Sequence, residues 1–303
     1  MSSLWNGGRF ILLFSVVLTV FTVYALLDTF VIPRQYTVVD SVPDSAADSL
    51  REQTSMTQNA ENDSLRSWSD ENISIVITQY RAYDTDIYVA DITLSSPEYL
   101  KTAFAGNTYG RNIKEKTSEI AAENQAVLAM NGDYYGARNS GYVIRNGVLY
   151  RENAAGGEVL SIFADGSFQI VDDRQATPRE LLESGVVQTL SFGPALLKNG
   201  IITVTEGQEV GKAMASNPRT AIGIFGRLHY AFVVADGRTR QSAGMSLYEL
   251  AEFLQGLGVD TAYNLDGGGS STMVFNGEVI NHPTTRGTSM KERSVSDIVY
   301  IGS

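Results

Sequence analysis

Cysteine is missing from all 303 residues. That excludes disulfide staples, thiolate zinc sites and a cysteine nucleophile. A cysteine-free exported chain fits a bacterial surface better than a disulfide-stapled secreted domain. Histidine is almost missing too. Only His229 and His282 occur, which nearly closes off a histidine triad or a multi-histidine metal site. Positive charge is scarce: 23 basic side chains stand against 34 acidic ones, a net charge of −11. Nucleic acid is therefore not expected as a partner, because phosphate backbones recruit basic patches. A small phosphate-bearing ligand needs only a few local donors and stays open. Apolar residues are not lacking. At 43% hydrophobic and 19% charged, the chain has the composition of a folded protein with a substantial core.

Phe10 to Leu27 reads FILLFSVVLTVFTVYALL without a charge, and TFVI follows Asp28. A helix of that length spans a bilayer, and Trp5 and Tyr36 flank it at interfacial depth. A cleaved signal peptide is the alternative, but the run exceeds an ordinary apolar core and no A-x-A-like site follows. The expected organisation is a short tail (1–9), a transmembrane anchor (10–32), a flexible polar stalk (33–70) and a folded domain (71–303). The stalk is rich in Ser, Asp, Asn and Gln, with a short helix expected around Ala46–Gln58. A short tail ahead of one span, with a large acidic domain behind it, favours an extracytoplasmic domain at the cell membrane.

Within that domain, Ile73–Tyr80 and Asp86–Leu94 are β-branched, aromatic and partly alternating, as strands are. Ile113–Asn124 reads as a helix and Ala126–Met130 as a short strand. Hairpin turns are expected at Asn146-Gly147, Asp165-Gly166, Asn199-Gly200 and Asn276-Gly277. Capping boxes at Thr177–Glu180 and Ser246–Glu249 open two helices, the second with Leu247, Leu250, Ala251 and Leu254 on one face and Gly256 and Gly258 at its end. The expected fold class is α+β: a mixed, hairpin-rich sheet core with a few packed helices, preceded by one transmembrane helix.

The segment richest in chemistry is Tyr263–Phe275, YNLDGGGSSTMVF. A strand end delivers Asn264 and Asp266 into Gly267, Gly268 and Gly269, then Ser270 and Ser271. Consecutive glycines let backbone approach a ligand, and successive N–H groups can form an anion-binding nest. It is not a Walker A loop, since no Gly-Lys-Ser/Thr follows. In AMNGDYYG, Asn131 and Asp133 stand beside Tyr134, a mixture that suits a sugar, although an ordinary Asn-Gly turn fits the same letters. In SNPRTAIG, Arg219 precedes an apolar strand and can hold a phosphate bidentately, unless it is a plain surface arginine. In VVADGRTR, Asp236 ends a strand ahead of Arg238 and Arg240, as an anion site or a structural ion pair. His229 reads as a residue that packs or pairs within a strand, whereas His282 follows Asn281 in a polar loop, as a ligand contact or a plain loop residue.

NGDYYG, SFGPALLKNG, NPRTAIG, VVADGR, LYELAEFLQGLG, YNLDGGGSSTM and ERSVSD occur in this order. Together they resemble the phosphodiester glycosidase family from about Phe104 to the C-terminus. The resemblance implies a hydrolase that cleaves a sugar–1-phosphate diester at the anomeric carbon, releasing free sugar and a phosphomonoester. It places Arg219, Arg293 and the Gly267–Ser271 loop on the phosphate. Asp266 or Asp236 would activate water or attack, with Asn131 and Asp133 positioning the sugar. Asp133 also ranks with the catalytic carboxylates, and Tyr134, Arg238 and Asn264 with the substrate contacts. No cofactor is required, although Asp133, Asp236 and Asp266 offer hard ligands to a divalent cation. The expected substrate is a phosphodiester-linked glycan of the envelope or extracellular matrix. A non-catalytic glycan-binding module and a transferase of envelope polymer assembly are the competing readings.

Overall fold

The computed structural model describes residues 7–30, 34–35, 40–41, 64–210 and 216–303. Two antiparallel sheets dominate. The larger has eight strands in the order Ile201–Ile202, Ala195–Lys198, Thr261–Asn264, Arg219–Gly226, His229–Ala235, Thr85–Leu94, Ile73–Ala82 and Ser64–Ser69. The smaller has five, in the order Glu278–Val279, Met273–Phe275, Leu128–Asn131, Asp297–Ile301 and Leu100–Phe104. Each strand period delivers one face to the space between them. Ile73, Ile75, Ile77, Tyr230, Phe232 and Val234 of the large sheet meet Leu128, Met130, Met273, Val299 and Ile301 of the small one. Burying each such side chain contributes about 1.5–3 kcal/mol.

His229–Ala235 is apolar on both faces because it is covered on both. Its odd positions Ala231, Val233 and Ala235 pack on the helix Leu247–Gly256 through Leu247, Leu250, Ala251 and Leu254. The Ser246 hydroxyl accepts the Glu249 N–H at 3.1 Å, closing the expected capping box. Gly256 is that helix's last residue, and Gly258 follows at φ 84°. A three-stranded sheet, Phe168–Asp172, Glu158–Phe163 and Val186–Leu190, and the hairpin Val143–Arg145/Val148–Arg151 complete the strand framework near the site. The chain is thus a sheet-dominated α+β protein.

All four hairpin turns form where expected. Asn146-Gly147, Asn199-Gly200 and Asn276-Gly277 carry positive φ at both positions (51/75°, 51/72° and 48/81°). At Asp165-Gly166 only Gly166 does, and the Asp165 carboxylate instead accepts the Ser167 N–H at 2.9 Å.

Three boundaries differ from expectation. The helix expected over Ile113–Asn124 is confined to Thr117–Glu123, because Glu115 pairs with Val295 through two backbone bonds of 3.0 and 2.7 Å. The strand expected at Ala126–Met130 runs Leu128–Asn131. The folded part begins before residue 71: Ser64–Ser69 is the edge strand beside Ile73–Ala82. Arg34–Gln35 and Asp40–Ser41 also pair, with Gly110–Arg111 and Val148–Leu149. The short helix expected around Ala46–Gln58 lies outside the described residues. Gly7–Phe30 is a 24-residue helix. Among the described residues, no helix is long and apolar enough to cross a membrane.

Candidate functional site

Strand ends from both sheets meet at one end of the sandwich. Asn131 closes the small-sheet strand, and Thr220, Asp236 and Asn264 stand at the ends of three large-sheet strands. Asn131 is fully buried and bolts the sheets together. Its amide donates to the Asp266 carbonyl at 2.5 Å, while its oxygen accepts the Thr220 hydroxyl at 2.9 Å and the Thr272 N–H at 3.2 Å. Its polar atoms are thus engaged within the protein.

The glycine loop lies directly on the Asn217–Arg219 segment. Gly268 N–H donates to the Pro218 carbonyl at 2.8 Å, and a Cβ on Gly267 would stand 2.8 Å from that same oxygen. A Cβ on Gly269 would collide with Thr285. The glycines are thus required by close backbone approach. The expected nest of successive free amides does not form. Ser270, Ser271 and Thr272 N–H groups, like that of Gly268, already have protein acceptors.

Cationic side chains lie against the loop instead. Arg293 donates Nε to the Ser270 hydroxyl at 2.8 Å and Nη2 to Asp266 Oδ2 at 3.0 Å. Burial raises the Asp266 pKa, opposed by Arg293. Arg238, at φ 63°, lies against Gly268 and donates to the Thr285 carbonyl (2.7 Å) and to Asn217 Oδ1 (2.8 Å). Burial and repulsion from Arg293 and Arg219 lower its pKa. Two guanidiniums therefore lie against one loop, an arrangement that an anion would stabilise.

Arg219 itself points toward the helix layer. Its register partner is Ala235 on the helix-facing side, and it is bonded to the Met245 carbonyl (2.7 Å) and to Glu209 (2.7 Å). It is neither a surface residue nor, with 4% exposure, open to a ligand. Asn264 donates to the Gly193 carbonyl at 2.8 Å, leaving its Oδ1 buried without a partner, as are the hydroxyls of Ser271 and Thr272.

Asp133 is held away from solvent. Its carboxylate accepts the N–H groups of Tyr135 (3.1 Å) and Ser191 (2.8 Å) and pairs with Arg145 at 3.2 Å. Arg145 also meets Asp297 at 2.7 Å, and all three side chains are at most 2% exposed. Burial, then the charge of Asp133, pushes the Asp297 pKa up to about 7 against the pull of Arg145. Tyr134 is in the left-handed region at φ 66° and remains 37% exposed. Arg145 and Asp297 were not among the expected site residues. The only local signal was a charge inside the apolar strands VIR and DIVYI.

Asp236 is buried, and burial raises its pKa. Its Oδ1 accepts from Asn281 Nδ2 (3.0 Å) and the His282 N–H (2.9 Å), and its Oδ2 lies 3.2 Å from His282 Nδ1. The other histidine, His229, sits at a strand start with Nε2 2.8 Å from Asp91. Asp133, Asp236 and Asp266 thus have three separate sets of partners. Among the described residues, no group of three His, Cys, Asp or Glu side chains is placed to hold a metal ion.

A cavity of about 380 Å³ adjoins this end, lined by Arg138, Glu158, Asp173, Phe192 and Pro194 among others. Arg138 stacks over Phe192 at 4.9 Å and also acts electrostatically on Asp266.

Residues 124–302 match the family model described as phosphodiester glycosidase. The human N-acetylglucosamine-1-phosphodiester alpha-N-acetylglucosaminidase is 33% identical over 182 residues, 55% of this chain and 35% of that protein. An uncharacterized SPbeta prophage-derived protein of Bacillus subtilis is 28% identical over 182 residues, 57% of this chain and 28% of that protein. The match spans well under half the length of these curated relatives. Among solved structures, the zebrafish catalytic domain of the same glucosaminidase, auto-inhibited by its pro-peptide, superposes with a TM-score of 0.61 at 23% identity, covering 80% of this chain and 87% of that one. A hypothetical protein from Synechocystis gives 0.57 at 15% identity, covering 76% of this chain and 62% of that one. At these identities the structural likeness shows the fold.

Proposed function

Because the chain belongs to the phosphodiester glycosidase family, we propose that it hydrolyses a sugar-1-phosphodiester at the anomeric carbon, releasing sugar and a phosphomonoester. The observation that carries this reading is Arg293, which grips Asp266 and Ser270 of the glycine loop at once while Arg238 lies against the same loop. An ordinary glycosidase needs a carboxylic acid to protonate a poor alcohol leaving group. A phosphomonoester departs far more readily, so neutralising its charge becomes the larger requirement. Arg293 and Arg238 supply that charge.

Of the three expected carboxylates, Asp266 has a side chain 11% exposed, against 2% for Asp236 and 1% for Asp133. Asp266 is therefore the one assigned to the positive charge that develops at the anomeric carbon. Tyr134 offers an exposed ring for a sugar face, and the Arg138 cavity offers room for the rest of the diester. Asn131, Asp133 and Asn264 shape the site from behind. The named activity of the human relative makes an N-acetylglucosamine-1-phosphodiester the first substrate to try. We further propose an envelope or extracellular glycan as the natural substrate, met by a domain outside the cell membrane. The uncharged run Phe10–Leu27 would be its single-pass anchor, a reading supported by the length of that run in the sequence.

The test is incubation of the full chain in detergent with an N-acetylglucosamine-1-phosphate diester, with product analysis. Free sugar plus phosphomonoester is expected. Release of sugar-1-phosphate would mean cleavage at phosphorus and overturn the reading. Saturable binding without turnover would leave a glycan-binding module, and sugar transfer to an added alcohol in preference to water would indicate a transferase.

A further inference from the structure

The chemistry above leaves the Asp236–His282 pair without a task. Asp236 is buried, yet its Oδ2 has only the His282 ring, at 3.2 Å, and its Oδ1 is occupied by Asn281 and the His282 backbone. A buried carboxylate on Nδ1 makes that nitrogen the proton donor and leaves Nε2 as the acceptor. The ring itself is 64% exposed, and its Nε2 has no protein partner among the described residues. A histidine kept only for packing would be covered, and a surface histidine would not have a buried carboxylate reserved for it.

The position also fits. Asn281, next in the chain, donates to the Ser271 carbonyl at 3.0 Å and accepts the Met273 N–H at 2.8 Å, which pins His282 to the end of the glycine loop. The same segment wraps that loop onward. Thr285 is held by Arg238, and Arg293 N–H donates to the Gly269 carbonyl at 3.2 Å. His282 and Arg293 thus reach the site from one continuous segment. The titratable groups facing the ring are Asp236 from its strand end and Tyr88, whose hydroxyl lies 3.4 Å from Nδ1. Lys291 and Arg238 attach to the segment at Pro283 and Thr285.

We propose that His282 is a catalytic residue of the hydrolysis, its Nε2 taking a proton from the attacking water while Asp236 holds the ring. The proposal rests on the phosphodiester glycosidase reading. The water oxygen bonds to the anomeric carbon as the bond from that carbon to the phosphate oxygen breaks. The electron pair of that bond stays with the phosphomonoester, beside the arginines. The water proton passes to Nε2, and the resulting imidazolium faces Asp236 until it releases the proton to solvent. Water attacks directly in this scheme, so the anomeric configuration inverts.

The full chain, His282→Gln, His282→Ala and Asp236→Asn are compared on the N-acetylglucosamine-1-phosphate diester across pH 5–9, with each variant's thermal unfolding recorded. General-base roles are worth about 10²- to 10⁴-fold. A loss of that size is expected in both His282 variants, together with a pH profile of kcat that differs in shape from that of the unaltered chain. Proton NMR is expected to show the inverted anomer first. His282 variants within about threefold of the unaltered chain, or a retained first product, would overturn the proposal and leave the glycosidase reading standing. An inactive unaltered chain would remove both. Ring nitrogen shifts give a readout independent of turnover. With only His229 for comparison, His282 is expected as the Nδ1–H tautomer, and an Nε2–H tautomer would also overturn the assignment.

Discussion

Arg293 and Asp266 are best understood as one unit. The guanidinium spans a carboxylate, a hydroxyl and the Gly267 carbonyl, which requires the planar fork that arginine has and lysine lacks. Arg293→Lys is accordingly expected to lower kcat/KM for a phosphodiester about tenfold or more, with the fold retained by circular dichroism. Asp266→Asn keeps the shape and removes the charge at the anomeric carbon. A loss of at least about 10²-fold in kcat is expected, with little change in KM if the phosphate is held by the arginines. A loss below tenfold in steady-state assays would remove Asp266 from the assignment.

At the scale of elements, buried charge decides how the small sheet's end is held. Arg145 links Asp133, at the end of Leu128–Asn131, to Asp297, at the start of the neighbouring strand. Gly132 is glycine because a Cβ there would enter the Asp297 carboxylate. Arg145→Met would leave two carboxylates buried without their cation, and breaking a buried pair costs about 3–5 kcal/mol. Denaturant unfolding should show a drop of that order.

This network also marks the limit of what the sequence made legible. The hairpin turns and both capping boxes depend on residues two to four apart, and all formed as expected. The strands of the large sheet and the helix face Leu247–Leu254 follow from short periodicities. Asp266, Arg293 and the glycine loop were legible because function concentrates unusual residues there. Arg219 looked like a ligand for the anion, but the register of its strand turns it to the helix layer. The Arg145–Asp297 pair joins residues 152 apart, and no local pattern reveals such a partner. Likewise, nothing in NHPTTRG indicates that Asp236 stands behind His282.

For the whole molecule, that same buried pair sets a pH dependence. Two buried carboxylates share one guanidinium, so the fully ionised trio carries an uncompensated negative charge. Burial and Asp133 push Asp297 up to about 7, whereas an aspartate in the unfolded chain titrates near about 3.9. Between these values the folded state binds the extra proton, so this group's contribution to stability is complete below about pH 4 and falls away as pH rises to about 7. The contribution of this one group is isolated by difference against a variant that lacks it. Asp297→Asn mimics the protonated form and has nothing to ionise. Its melting temperature relative to the unaltered chain is therefore expected to rise from pH 5 to about pH 7 and then level off, measured by scanning calorimetry in matched buffers. A difference that stays level over that range would mean that Asp297 is ionised throughout and that the Arg145 charge outweighs both burial and Asp133.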